Sequence, residues 1–484
     1  MKKEETLKEK TARGLFWGGL SNGLQQLISL LFGIFLARLL TQDDYGMVGM
    51  LTVFSAIAAA LQEGGFISAL NKKKEATPED YNAVFWFSFL CSLLLYSLLF
   101  LSAPLIARFY NEPQLEPLAR YVFLGFVFTS LGIAPRAWLF RNLKTKEAAI
   151  VQFTALAVSG FVGILLAYNG YAYWGIATQS LVYVAMFTLG NTLCADWRPT
   201  LHVDFRPLKT MIGFSSRLIV TNLFTILNNN LFPVLFGRLY TKTDVGNYSQ
   251  ASKWTNMGSV LMTNMLWGVA QPVFAKVGDD RQRLLNILRK LLRFTAFFAF
   301  PAMFGLCLVS EELIVIAVTA KWLPSVPFMQ LLCIGGAFAP VAALFSNLLI
   351  SRGHSGVYMW CTIAQCLVQL AAVCLASPFG MMRMVQTFVA ISILWVFVWW
   401  WFVRRDTGLS LSAMLLDVAP YLLLAAALCA SAAYVCAPVG GTCLRLAAKI
   451  AYVGTLYALA LWLSGSAIFR ESVGFLLHKG QVSA

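Results

Sequence analysis

The sequence is short of charge: 12% of its 484 residues are Asp, Glu, Lys or Arg and 59% are hydrophobic, which leaves too little polar surface to cover a water-soluble globule of this size. Acidic groups are scarcer than basic ones, 22 against 37. Inside the apolar runs they are nearly missing, with Glu63 and Asp417 at the expected cytoplasmic ends of theirs. Histidine occurs three times, as His202, His354 and His478, and no Ser/His/Asp arrangement, metal-ligand spacing or glycine-rich phosphate loop accompanies it. No loop is long enough to carry a catalytic domain. These absences leave an enzyme, a metal site or a cofactor little to stand on. The period-two alternation of membrane-barrel strands is missing as well.

What the chain has is long continuous apolar runs, each near the ~20 residues that span a bilayer as helix. Fourteen are visible: 14–37, 46–69, 83–107, 119–139, 148–168, 172–195, 211–237, 246–270, 292–310, 328–350, 356–377, 384–403, 414–436 and 446–469. Mean hydropathy is +0.70. The expected fold is therefore an all-α polytopic membrane protein of about fourteen transmembrane helices. The charged leader "MKKEETLKEK" and the long first run lack the pattern of a cleaved signal, so that run is expected to stay in the membrane. Most of the ten cysteines lie within apolar runs, where Cys is a small hydrophobe. Cys436 and Cys443 bracket an outer loop and are the one candidate disulfide.

Basic residues set the orientation, because flanks rich in Lys and Arg stay in the cytoplasm. With both termini inside, Lys72, Lys73, Lys74, Arg136, Arg141, Lys144, Lys146, Arg281, Arg283, Arg404 and Arg405 fall on the cytoplasmic side, whereas Arg38, Arg108, Arg238, Lys242, Lys321 and Lys449 fall outside. The net charge of +15 is on this reading a topology signal and a contact with anionic membrane lipids, not a nucleic-acid footprint.

The chain also repeats itself. "LARLLTQDDYG" from Leu36 recurs as "FGRLYTKTDVG" from Phe236, sharing Arg, Leu, Thr, Asp and Gly. "APRAWLFRNL" from Ala134 recurs as "APVAALFSNL" from Ala339, with seven of ten positions identical. Two matches in order and at nearly one offset indicate duplication. They predict a six-helix lobe over 1–206, a second over 207–410, and two additional helices with a short tail over 411–484. An even helix number gives both lobes one orientation, with a two-fold axis along the membrane normal. In the repeated loop, Arg38 and Arg238 are expected to complement helix carboxyl ends. Asp44 and Asp244 are expected to cap the helices that follow.

Polar residues within the runs mark candidate binding positions, since a cation near the bilayer centre costs about 2.5–3.5 kcal/mol on insertion scales. Lys253 heads a stripe continued by Asn256, Asn264 and Gln271, and Arg217 shares a face with Asn228. Asn22 and Gln26 extend the seam to the first lobe, with cations only in the second. Snorkelling to the headgroups is the competing reading of Arg217, and interhelical hydrogen bonding that of the amides.

"LARLLTQDDYG", "ARFYNEPQLEPLARYV" and "KWLPSVPFMQLL" resemble the polysaccharide-transporter branch of the multidrug/oligosaccharidyl-lipid/polysaccharide (MOP) exporter superfamily, and more narrowly its Wzx-type lipopolysaccharide and capsule repeat-unit flippases. The resemblance implies two six-helix lobes around a central cavity in the bacterial inner membrane. It further implies transfer of an undecaprenyl-diphosphate-linked oligosaccharide from the cytoplasmic to the periplasmic leaflet, alongside a polymerase and other assembly proteins. Lone buried cations suit a diphosphate. A MATE-like small-molecule exporter and a non-transporting scaffold of a polysaccharide-assembly complex remain the alternatives.

Overall fold

The computed structural model describes residues 25–63, 70, 76–201, 204–206, 223–276, 280–466 and 468–470, and among these residues there is no strand. The helices are α1 (Gln25–Leu39), α2 (Gln42–Glu63), α3 (Pro78–Tyr110), α4 (Leu115–Phe123), α5 (Gly125–Arg141), α6 (Thr145–Tyr168), α7 (Tyr173–Cys194) and α8 (223–229). They continue as α9 (Leu231–Leu239), α10 (Lys242–Lys276), α11 (Arg281–Leu308), α12 (Ser310–Val318), α13 (Val326–Ser351), α14 (Ser355–Ala376), α15 (Met381–Thr407), α16 (Leu411–Val435) and α17 (Thr442–Leu463). The protein is a multi-pass membrane protein. Among the described residues ten segments are long and apolar enough to cross a bilayer, with α4 and α5 counted as one. The other four expected runs also coincide with helix. The stretches at α1 and at α8–α9 are described only in part, and α7 and α10 carry too many amides and hydroxyls to qualify on hydropathy.

Helix ends follow local chemistry. Thr77 and Asp80 form a capping box at the start of α3, where Thr77 N donates to Asp80 Oδ2 at 2.9 Å. Asp280 accepts from Arg283 N at 3.0 Å to start α11. The repeat is visible inside the helices. Pro135 and Pro340 stand within α5 and α13, and in both copies the following Asn bonds back one turn: Asn142 to Trp138 O at 2.8 Å, Asn347 to Ala343 O at 2.9 Å.

Two compact units divide at residues 249 and 250, within α10. The reason is local: α9 and the first turns of α10 pack on α2 and α3. The first unit centres on Tyr81, Val84, Phe85, Ile133, Ala134, Ala137 and Trp197. The second centres on Leu284, Leu288, Leu292, Leu344, Phe345, Leu348, Trp399, Trp400 and Val403, with Met414 of α16 joined to it. Leu94, Leu101, Phe161, Leu375 and Leu416 lie outward and exposed, as a lipid-facing surface requires.

Candidate functional site

The repeated loop folds the same way twice. Thr41 N and Oγ1 both donate to Asp44 Oδ2, at 2.8 and 2.7 Å, and Asp44 N donates back to Thr41 Oγ1 at 3.3 Å. Thr241 and Asp244 repeat the pattern at 3.1, 2.7 and 3.3 Å. The expectation that the aspartates cap free helical N–H groups is thus corrected. Thr41 and Thr241 are the N-caps, and each aspartate reaches back as the partner of a capping box.

The two copies then meet each other. A Cβ on Gly46 would come within 2.7 Å of the carbonyl carbon of Lys242, and a Cβ on Gly246 within 2.7 Å of the carbonyl carbon of Gln42. Thr243 Oγ1 donates to Asp43 Oδ1 at 2.6 Å. At the repeat offset of 200, Gly46–Lys242 and Gly246–Gln42 are the same contact made twice and Asp43–Thr243 joins two equivalent positions, which is a local two-fold relation. Gly49 lies against Ser249 and Val245, so small residues let α2 and α10 cross closely. Around this tip, Arg238 donates to Phe109 O at 3.1 Å with its guanidinium 5.5 Å from the Phe109 ring centre, Lys242 pairs with Glu112 at 3.3 Å, and the Tyr110 hydroxyl donates to Met50 O at 3.2 Å. The helix-dipole role expected of Arg238 is therefore joined by a bond to another chain segment.

Lys253 lies on α10 about 16 Å from its start at helical rise. Its side chain is exposed and has no hydrogen-bond or ion-pair partner among the described residues. Asn256, exposed on the same face, donates to Ser252 Oγ at 3.2 Å, and Val260 continues the exposed stripe. The opposite face is packed: Ala251, Thr255 and Ser259 are buried, and Thr255 Oγ1 lies 3.8 Å from Cys333 Sγ. The polar face of α10 thus points away from the body of its own unit, an arrangement that suits water or a polar ligand rather than lipid. Asn264 and Gln271 lie farther along α10, with side chains outside the described residues, as are Arg217 and Asn22 altogether. Asn228 is half-buried with an unpartnered Oδ1, and Gln26 is half-buried on α1 beside Gln25, which accepts from Gln152 Nε2 at 2.5 Å.

Sequence reasoning missed three ionic features. Asp417, 5% exposed, takes Arg289 at 2.7 Å and Arg293 at 2.9 Å, tying α16 to α11. Lys449, assigned to an outer flank, is buried and pairs with Glu312 at 2.5 Å, tying α17 to α12. These partners are more than a hundred residues apart, so no local pattern reveals them. The third is Arg136, counted as a cytoplasmic flank, which lies within α5; cations inside helices are therefore not confined to the second lobe. Cys436 and Cys443 are both free thiols, so the candidate disulfide is not formed. Beside Arg293 and Asp417, a groove of about 500 Å³ opens between α16 and α17, lined also by Tyr421, Leu424, Leu461 and Ser466.

The sequence profile of a family described as polysaccharide biosynthesis protein matches residues 35–327. Among curated relatives, the lipopolysaccharide biosynthesis protein WzxC of Escherichia coli K12 is 24% identical over 72% of this chain and 71% of its own length. The teichuronic acid biosynthesis protein TuaB of Bacillus subtilis is 22% identical over 87% of this chain and 88% of its own. Among solved structures, the lipid II flippase MurJ in an inward closed conformation superposes with a TM-score of 0.73 at 14% identity, covering 95% of this chain and 99% of MurJ. That likeness establishes a shared fold.

Proposed function

Since the chain belongs to the polysaccharide biosynthesis protein family, we propose that it is a flippase that moves an undecaprenyl-diphosphate-linked oligosaccharide from the cytoplasmic to the outer leaflet of a bacterial inner membrane by alternating access. The observation that carries the reading is Lys253, an accessible cation at membrane depth on a polar helix face, without a carboxylate partner among the described residues. A lone cation attracts a diphosphate, and amides such as Asn256 meet sugar hydroxyls in several poses. Arg217, Asn228, Asn264, Gln271, Asn22 and Gln26 are the further substrate contacts of this reading. A cation-exporting drug transporter instead needs free buried acids, and among the described residues Asp417 and Glu312 are held by arginine and lysine while Asp44 and Asp80 are held by the N-caps Thr41 and Thr77.

The tight crossing of α2 and α10 at Gly46 and Gly246 serves on this account as a closed outer gate, with the loops periplasmic and both termini cytoplasmic. The lipid-linked sugar would enter from the inner leaflet and leave when the crossing parts. A polymerase and other assembly proteins would receive it, and the chain itself would catalyse no bond change. Deleting the gene and identifying the accumulated lipid-linked intermediate by mass spectrometry tests the reading. The expected result is loss of surface glycan with build-up of a complete polyprenyl-diphosphate-linked repeat unit. Normal surface glycan, or a build-up of an unfinished unit, would refute it.

A further inference from the structure

The first unit contains a polar cluster that the duplication does not explain, because the repeat equivalent of Arg136 is the buried Val341. Arg136 stands five residues before the end of α5, about 8 Å along the helix axis. Its exposed guanidinium sits over the Phe187 ring, 5.7 Å from the ring centre. Tyr183, one turn away on α7, stacks on Phe187 with ring centres 5.8 Å apart and planes at 15°. The Tyr183 hydroxyl lies near the Gln152 side chain of α6 and in the field of Arg136. Gln152 in turn donates to Gln25 of α1 at 2.5 Å. Four helices thus bring a cation, a phenol and two amides together in one unit.

Depth separates this cluster from a headgroup contact. Gln152 and Phe187 lie about 10 Å from the ends of α6 and α7 on the same side of the membrane, and Tyr183 about 16 Å. A snorkelling arginine would turn toward the helix end. Arg141 does stay at that end, donating to Leu70 O at 2.7 Å, whereas Arg136 lies on a ring at its own depth or deeper. The cation–π contact holds the face of the guanidinium, and its five N–H donors give it capacity for more than one acceptor.

We infer that Arg136, Tyr183, Gln152 and Gln25 form a subsite for the glycosyl-diphosphate head group, with Arg136 meeting a phosphoryl oxygen and the phenol and amides meeting sugar hydroxyls. Phe187 is a positioning residue that fixes the guanidinium. This inference rests on the flippase reading above and adds a binding site within the first unit, independent of Lys253.

The test is native mass spectrometry of the purified full-length protein with undecaprenyl diphosphate, with an undecaprenyl-diphosphate-linked disaccharide, and with phosphatidylglycerol. Arg136→Gln should weaken both diphosphate lipids about tenfold or more, as expected for loss of a charge-assisted hydrogen bond, and leave phosphatidylglycerol unchanged. Arg136→Lys should recover part of the loss, and Phe187→Leu should reproduce part of it. Tyr183→Phe and Gln152→Leu should weaken the disaccharide lipid several-fold more than bare undecaprenyl diphosphate, a selectivity that a merely structural role would not give. Wild-type retention in all variants overturns the subsite alone. Equal losses on phosphatidylglycerol also overturn it, in favour of a general anionic-lipid contact. A wild-type protein that retains neither diphosphate lipid overturns the flippase reading and the subsite with it. If Arg136→Gln fails to fold, the Tyr183→Phe selectivity decides.

Discussion

Gly46→Ala is the perturbation that bears most sharply on the gate. The new methyl group would lie 2.7 Å from the Lys242 carbonyl carbon and 3.1 Å from its Cα, inside the 3.4 Å at which ordinary contact begins. The nearest obstacle is the Lys242 carbonyl oxygen, which is backbone and cannot rotate away, so α2 and α10 must part by more than an ångström. Overpacking of this kind costs about 1–3 kcal/mol, which shifts the ratio of closed to open forms by about 5- to 150-fold. Gly246→Ala meets the same obstacle at Gln42 and should have the same effect. The double variant should cost less than the sum, because the first methyl has already separated the helices that the second would push. Spin labels at positions 38 and 238, both exposed at the loop, report the change as a longer-distance population in electron–electron double resonance. Transport should fall while protein level stays near normal. An unchanged distance distribution in both single variants would refute the reasoning.

The remaining predictions address binding, orientation and docking of the last two helices. Lys253→Ala should abolish glycan export at normal expression and Lys253→Arg should keep part of it; Lys253→Glu, which places a carboxylate where a polyanion must pass, is the harsher test, and export that survives it would remove Lys253 from the pathway. Arg217→Ala should give a milder loss in the same export assay. Single cysteines at the exposed positions 171 and 201, in a cysteine-free background, should react with an impermeant maleimide from outside and only after permeabilisation, respectively; the reverse pattern would invert the topology. Glu312→Gln should destabilise by about 3–5 kcal/mol in thermal unfolding, as removal of one partner from a buried pair does, and the double change Glu312→Leu with Lys449→Met should recover most of that loss.

How much was legible in the sequence depends on the range of the interaction that decides each feature. Continuous apolar runs are a local signal, and the described helices fall within a few residues of them, as at α6, α14 and α17. The duplication is legible because two motifs retain it, and Asn142 and Asn347 keep one hydrogen-bonding habit in both copies. That Gly46 and Gly246 allow close packing is legible from their place just inside the next helix, but that they pack on Lys242 and Gln42 is not, since that approach exists only after the two hairpin tips meet. The setting of Arg136 on the Phe187 ring is not legible, because in the sequence it reads as one of a run of basic residues with Arg141, Lys144 and Lys146. Asp417 reads as an acid at the end of its run and Glu312 lies between two runs, and only tertiary packing supplies Arg289, Arg293 and Lys449. Lys253 stands out in the sequence as a cation heading a stripe of amides, and the structure adds that its face is exposed while Thr255 and Ser259 are packed.

Reconstitution tests the central claim most directly. Purified protein in proteoliposomes, given an undecaprenyl-diphosphate-linked disaccharide carrying a fluorescent sugar in both leaflets, is challenged with a membrane-impermeant quencher of that fluorophore. The account predicts that wild-type protein renders nearly all of the labelled lipid quenchable over time, while protein-free vesicles and Lys253→Glu protein leave the inner-leaflet half protected. Equal protection in wild-type and protein-free vesicles, or equal loss of protection with Lys253→Glu, would contradict it.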